Sequence, residues 1–166
     1  MSKTQENLAA AFAGESQANR KYLAYAKKAE DEGQSGLAKL FRVAAEGETV
    51  HALNHFRAME GVKNTKENLE DALNGETYEI DEMYPKFIEE AEEGENQAKI
   101  SFDYANKVEK IHQTLFRKMQ ERMEKGEEIE NSDYFVCPVC GFPSANEAPE
   151  NCPVCGAPKE KFKRID

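Results

Sequence analysis

Apolar residues recur at three- and four-residue intervals through four long stretches of this chain, the repeat of an amphipathic α-helix. The first stretch runs from Thr4 to Glu32, with Leu8, Phe12, Ala18, Tyr22, Tyr25 and Ala29 on its apolar side and Gly33 as its stop. The second covers Gly36 to Glu60, carries Leu37, Leu40, Phe41, Ala44, Ala52 and Phe56, and ends at Gly61. The third begins at Thr65, expected as its N-cap, and continues to Glu93 before Gly94. The fourth spans Glu95 to Lys125, with Ile100, Phe102, Ala105, Val108, Ile111, Leu115, Phe116 and Met119, and stops at Gly126. Pro85 lies inside the third stretch, where its missing N–H should bend the helix.

Acidic and imidazole side chains interrupt the apolar stripes in a pattern that occurs twice. Glu15 is followed by Glu48-x-x-His51, and sixty-one residues later Glu76 is followed by Glu109-x-x-His112. A helix brings positions three apart onto one face, so each Glu-x-x-His aims a carboxylate and an imidazole at one point. Two such helices and two single-glutamate helices form the ligand set of carboxylate di-metal, ferritin-like bundles. The expected fold class is therefore an all-α four-helix bundle. The repeat reaches beyond the ligands: Gly14, Gly33, Phe41 and Ala44 match Gly75, Gly94, Phe102 and Ala105 at the same offset. Carboxylates on an apolar stripe are costly unless paired or metal-bound. Hard oxygen with one imidazole per ion suits iron or manganese. Glu48 and Glu109 are the expected bridging ligands, and Glu15 and Glu76 the terminal ones.

Other polar residues lie close to this pattern. Glu79, three after Glu76, puts an extra carboxylate on the same side. It reads either as a solvated helix glutamate or as a ligand that exchanges with His51 when iron changes oxidation state. Tyr22 stands seven residues after Glu15 and Tyr84 eight after Glu76, so each is positioned to hydrogen-bond a ligand or to fill the core. His55 follows His51 by one turn, but its counterpart is Phe116, which argues against a ligand.

The tail changes chemistry. After a charged linker at about 125–132 come Cys137-Pro-Val-Cys140 and Cys152-Pro-Val-Cys155, each followed by a glycine that lets the backbone turn its amides toward sulfur. Two such knuckles close a tetrahedral sulfur cage for zinc or a single iron. Beside a redox-capable bundle, an electron-shuttling iron is the more sensible occupant, with zinc possible in recombinant material.

Net charge is −10 over 166 residues, nearly all of it in the helical part, which makes nucleic acid and anionic membrane poor partners. The first ten residues hold no apolar core of a signal peptide, and no run is long enough to span a bilayer, so a cytoplasmic location is expected. That address in turn argues against disulfides.

Over essentially its whole length the chain resembles the rubrerythrin family. The resemblance rests on Ala11-Phe-Ala-Gly-Glu15-Ser-Gln-Ala18, Glu48-x-x-His51, Gly75-Glu76-x-x-Glu79 followed by Glu82-Met-Tyr-Pro85, Glu109-x-x-His112, and the C-terminal four-cysteine module. It implies a ferritin-like domain over 1–132 and a rubredoxin-like β-ribbon domain over 133–166. It also implies two non-haem irons held by Glu15, Glu48, His51, Glu76, Glu79, Glu109 and His112, with Tyr22 and Tyr84 beside them. One further iron would sit on Cys137, Cys140, Cys152 and Cys155. The implied activity is reduction of hydrogen peroxide to water in defence against oxidative stress, with electrons from a donor such as an NAD(P)H-dependent rubredoxin reductase or rubredoxin. A homodimer or higher homo-oligomer is implied, head-to-tail, with one chain's module near the other's di-iron site. The competing expectations are a ferroxidase or iron-handling ferritin, a di-manganese catalase, and a zinc-ribbon adaptor.

Overall fold

The computed structural model describes residues 2–165, and the chain divides between Lys63 and Asn64 into two compact units. The first is a helical hairpin, α1 (Lys3–Asp31) and α2 (Ser35–Ala58). Ser2 caps α1 by accepting a bond from the Gln5 N–H. The turn between the helices is closed by Gly33 at φ 74°, a conformation that favours glycine, with the Gln34 N–H bonded to the Ala29 carbonyl. Small residues let the two helices approach: Ala38, Ala45 and Ala52 recur at seven-residue spacing along α2, and with Ala26 and Ala29 they are buried. Buried Asn19 ties the helices together, its Nδ2 donating to the Ala45 carbonyl at 2.7 Å and to Thr49 Oγ1 at 2.8 Å.

At the open end of this hairpin Phe12 stacks on Phe56 with ring centroids 5.0 Å apart. The chain leaves α2 by folding back over that ring: the N–H groups of Met59, Glu60 and Gly61 bond to His55, Arg57 and Phe56 carbonyls. A Cβ on Gly61 would stand only 2.2 to 2.6 Å from three Phe56 ring carbons, so glycine is what permits this close return.

The second unit comprises α3 (Thr65–Tyr78), a π turn (Glu79–Met83), α4 (Tyr84–Glu90), α5 (Asn96–Lys125) and the cysteine module. Three sequence expectations need correction here. Asn64, not Thr65, caps α3, because its Oδ1 accepts the Glu67 N–H at 3.0 Å. The third stretch ends at Glu90 rather than Glu93. Its irregularity is the π turn upstream of Pro85, which itself lies at the start of α4, where a missing N–H costs little. Gly126, at φ 68°, ends α5.

In the module, β1 (Tyr134–Val136) lies between β2 (Pro143–Ala145) and β3 (Lys163–Ile165), antiparallel to both. Its core is Cys137, Cys152 and Ala157, with Phe142 and Phe162 in edge-to-face contact at 6.4 Å. The first knuckle lies against α5, where Val108 Cγ1 approaches within 3.7 Å of the Cβ position at Gly141. Among the described residues no helix is long and apolar enough to cross a membrane.

Candidate metal centres

Each helical hairpin assembles its own three-residue cluster, and the two have the same geometry. In the first unit the donor atoms of Glu15, Glu48 and His51 lie within 4.8 Å of one another. His51 Nδ1 is 2.9 Å from Glu48 Oε2 and 4.0 Å from Glu15 Oε1. In the second, Glu76, Glu109 and His112 converge likewise, with His112 Nδ1 2.6 Å from Glu109 Oε2 and 3.7 Å from Glu76 Oε1. The spacing of these residues along their helices produces both, since i and i+3 share a face and the antiparallel partner brings its glutamate level with them.

The hydroxyl after each lone glutamate is also repeated. Ser16 Oγ donates to the Phe12 carbonyl and Thr77 Oγ1 to the Leu73 carbonyl, both at 2.7 Å. Gln113 Nε2 then donates to Thr77 Oγ1 at 2.8 Å, fixing α3 against α5 beside the second cluster. Sequence reading passed over these residues. Their signal was the hydroxyl that follows Glu15 and Glu76 alike.

The second cluster does not suit three ionised or neutral groups left to themselves. Burial pushes the Glu76 carboxyl up to about 7, reinforced by its bond to Glu109 and by that residue's charge. Burial also works against charge on Glu109, but bonds from His112 and Glu76 outweigh it and hold that carboxyl below its ordinary range. His112 is raised by its bond to Glu109. Glu76 Oε2 is buried and has no hydrogen-bond partner. A buried lone pair without a donor, next to a second carboxylate and an imidazole, is the donor set a hard divalent cation satisfies.

Glu79 lies outside the convergent donors of that cluster but within its field. Burial and the charge of Glu109 raise its carboxyl, and His112 lowers it. It is the first residue of the π turn. That turn inserts one residue into the helical repeat, and the aromatic rings record it. Tyr22, Tyr25 and Phe41 form a cluster with centroid separations of 6.3, 5.6 and 6.4 Å. Tyr84, Phe87 and Phe102 repeat it at 6.4, 5.6 and 6.5 Å. Tyr22 therefore corresponds to Tyr84 at an offset of sixty-two, one more than that from Glu15 to Glu76, which precedes the turn. Tyr84 is raised by burial and by the charges of Glu79, Glu109 and Glu76, so it is a hydroxyl in contact with the field of the second cluster.

All four cysteines converge in the module and none is paired in a disulfide. Cys137 and Cys155 Sγ atoms are 3.6 Å apart, and those of Cys140 and Cys152 are 3.5 Å apart. A metal with sulfurs at ~2.3 Å in a tetrahedron requires edges of roughly 3.7 Å, so the cage has the right size. Gly141 and Gly156, at φ 87° and 76°, make the turns that close each knuckle, their N–H groups bonding to Cys137 and Cys152 carbonyls. Amides of Phe142 and Ala157, each two residues past a cysteine, donate to Cys140 and Cys155 sulfur, and those of Val154 and Cys155 to Cys152. Burial raises the Cys140 and Cys155 thiols while amide donors lower Cys152, so the metal-free cage retains protons that a cation would displace.

Comparison with known proteins agrees with this geometry. The family model described as "Rubrerythrin" matches residues 6–120, and "Rubrerythrin, rubredoxin-like domain" matches residues 135–163. Rubrerythrin-2 of Clostridium acetobutylicum is 36% identical over 96% of this chain and 95% of its own length. Nigerythrin of Nitratidesulfovibrio vulgaris is 32% identical over 96% and 85%. A solved structure of fully reduced, all-ferrous nigerythrin superposes with a TM-score of 0.57 at 31% identity, over 99% of this chain and 88% of that one.

Proposed function

The chain belongs to the rubrerythrin family, with a ferritin-like helical part and a rubredoxin-like module whose cofactors are two non-haem irons and one tetrathiolate iron; from that premise we propose that it reduces hydrogen peroxide to water. The carrying observation is the coexistence in one chain of two matched carboxylate–histidine clusters and a sulfur cage. Glu15, Glu48, His51, Glu76, Glu109 and His112 are the proposed ligands of the iron pair, with Glu79 an additional carboxylate at the edge of the second cluster. Cys137, Cys140, Cys152 and Cys155 are the proposed ligands of the single iron, and 1–132 and 133–166 the proposed functional domains. Held by these residues, a pair of ferrous ions would supply the two-electron chemistry needed to divide the O–O bond of peroxide, and an iron in the sulfur cage would supply one-electron chemistry for its re-reduction.

The chain's own groups support the rest of this reading. Tyr84 carries a hydroxyl into the field of Glu76, Glu79 and Glu109 and is a candidate proton donor to a leaving oxygen. Tyr22 is its counterpart in the first unit. Four unpaired thiols call for a reducing compartment, so the proposed location is the cytoplasm. The packing of Val108 on Gly141 runs from the residue before Glu109 to the residue after Cys140, a covalent and van der Waals route within one chain. The electron donor is taken to be a reductase or rubredoxin that docks on the exposed side of the module.

The test is metal analysis followed by anaerobic titration of the reduced protein with peroxide. Three irons per chain and two electrons withdrawn per peroxide are expected. Removing residues 132–166 should leave that single oxidation intact and abolish turnover with a reductase. Unchanged turnover after the deletion refutes the relay, and iron uptake far beyond three per chain replaces the reading with iron storage.

A further inference from the structure

We infer that Asn19 is a positioning residue for the first metal cluster: its buried amide sets the register of α1 against α2, so that Glu15 arrives level with Glu48 and His51. The inference rests on the ligand assignment proposed above and concerns what holds that half of the ligand set in place.

The seam between α1 and α2 is lined with small residues, Ala26 and Ala29 on one side and Ala38, Ala45 and Ala52 on the other. Alanine against alanine packs closely but resists sliding weakly, because a shift along the axis meets another small side chain. A slip of one residue nevertheless moves Glu15 by about 1.5 Å along the helix. Side chains that share an ion have to be placed to within roughly 0.5 Å. Something other than the alanines therefore has to fix the register.

Asn19 stands in this seam one turn after Glu15 and is 8% exposed. Its Nδ2 donates twice across the helix pair, to the Ala45 carbonyl at 2.7 Å and to Thr49 Oγ1 at 2.8 Å. Thr49 Oγ1 in turn donates to the Ala45 carbonyl at 3.2 Å, so the three groups close a triangle. Ala45 precedes Glu48 by three residues and Thr49 follows it by one, so the two acceptors straddle that glutamate. The asparagine side chain is too short to follow a slip of α1, which would break both of its bonds at once.

Stability is a poor explanation for this asparagine. Its Oδ1 is buried with no hydrogen-bond partner among the described residues, a cost that an apolar side chain would not carry. Fixing alignment at some expense of stability is what a buried asparagine does in the seam of a coiled coil. The second unit supports the same reading with different residues. At the sixty-one-residue offset Asn19 is replaced by Ile80, whose side chain cannot bond, and Gln113 Nε2 reaches Thr77 Oγ1 at 2.8 Å instead. Gln113 follows His112 and Thr77 follows Glu76, so this link too lies within one turn of its cluster.

Asn19→Leu is the test, because leucine keeps the branched shape, removes the orphaned oxygen and leaves Thr49 bonded to Ala45. In full-length protein whose sulfur cage is filled with zinc, anaerobic titration with ferrous ion reads only the carboxylate–histidine sites. The variant should melt no lower than wild type when metal-free, yet bind ferrous ion about tenfold more weakly, the low end of what losing an outer support costs a metal site. Unchanged affinity overturns the proposal. Ala38→Gly lies in the same seam ten residues before Glu48, and it should lower the melting temperature without altering ferrous affinity; if it weakens binding as much as Asn19→Leu does, the proposal is overturned. Should Asn19→Leu fail to fold, Thr49→Val removes one bond of the triangle and gives a smaller loss of affinity in the same direction, and no loss there is equally fatal. Glu15→Gln in the same titration checks the premise: ferrous binding that ignores this change sinks the ligand assignment itself.

Discussion

Gly61→Ala offers a sharp test of how the end of α2 is built. The backbone at Gly61 lies outside the left-handed region, so alanine is not penalised by φ. Its methyl group would instead meet Phe56 ring carbons at 2.2, 2.5 and 2.6 Å, and the ring cannot simply swing aside because Phe12 is stacked on it. Overpacking of this kind costs about 1–3 kcal/mol. For a chain of this length that lowers the melting temperature by roughly 2–4 °C per kcal/mol. Phe56→Ala removes the ring and costs ~2–4 kcal/mol, less than a fully buried phenylalanine because the side chain is only half-buried. In the Phe56→Ala background, Gly61→Ala should change sign and stabilise by about 0.4–1 kcal/mol, since alanine restricts the unfolded chain and no longer meets the ring. Guanidinium melts of the metal-free protein at one concentration, completed as a double-mutant cycle, supply the measurement. An equal cost for Gly61→Ala in both backgrounds would refute the ring-contact explanation.

Further outcomes follow from the clusters and the repeat. In the metal-free protein Glu76 keeps its proton up to about 7 against an ordinary 4.5, and His112 is raised too, so the folded state binds more protons than the unfolded one. Stability should therefore fall as pH rises from about 5 through 7, and Glu76→Gln should flatten that slope; a wild-type midpoint that climbs relative to the variant over this range contradicts it. Cys140→Ser removes one of the four cage sulfurs and should abolish the red ferric tetrathiolate colour while leaving helical circular dichroism unchanged. Asn19→Ala strips two bonds between α1 and α2 and should cost about 1–3 kcal/mol. Deletion of the exposed Asp81 returns the π turn to the α repeat, so the protein should fold with an undiminished melting temperature, whereas a marked loss would mean the turn is required for packing.

The convergence of the two residue clusters and of the four cysteines was legible in the sequence because the spacings that produce it are local. Glu48 and His51, or Cys137 and Cys140, are brought together by the geometry of a single helix or knuckle, and the sixty-one-residue repeat announced the partner glutamates. Even the unequal tyrosine spacings, seven after Glu15 and eight after Glu76, were visible as numbers without a cause. The cause is the π turn, and a π turn has no reliable residue signature because it depends on how the following helix must face its neighbours. Pro85 was expected to bend the helix; what the structure has there is a π turn over Glu79–Met83, with Pro85 in the first turn of α4.

Periodicity, the doubled glutamate–histidine spacing and the cysteine spacing, then, determined the four helical stretches, the pairing of carboxylates with histidine and the sulfur cage, since each is written in separations shorter than a few helical turns or in an exact internal copy. What only the tertiary structure decided are properties of distance between residues remote in the chain: the protonation conflict among Glu76, Glu109 and His112, the orphaned Glu76 oxygen, and the seat of Gly141 on Val108. The fold-back of Met59–Gly61 belongs with them. Its residues read as an ordinary helix stop, and the close approach of Gly61 to the Phe56 ring appears only in the folded chain.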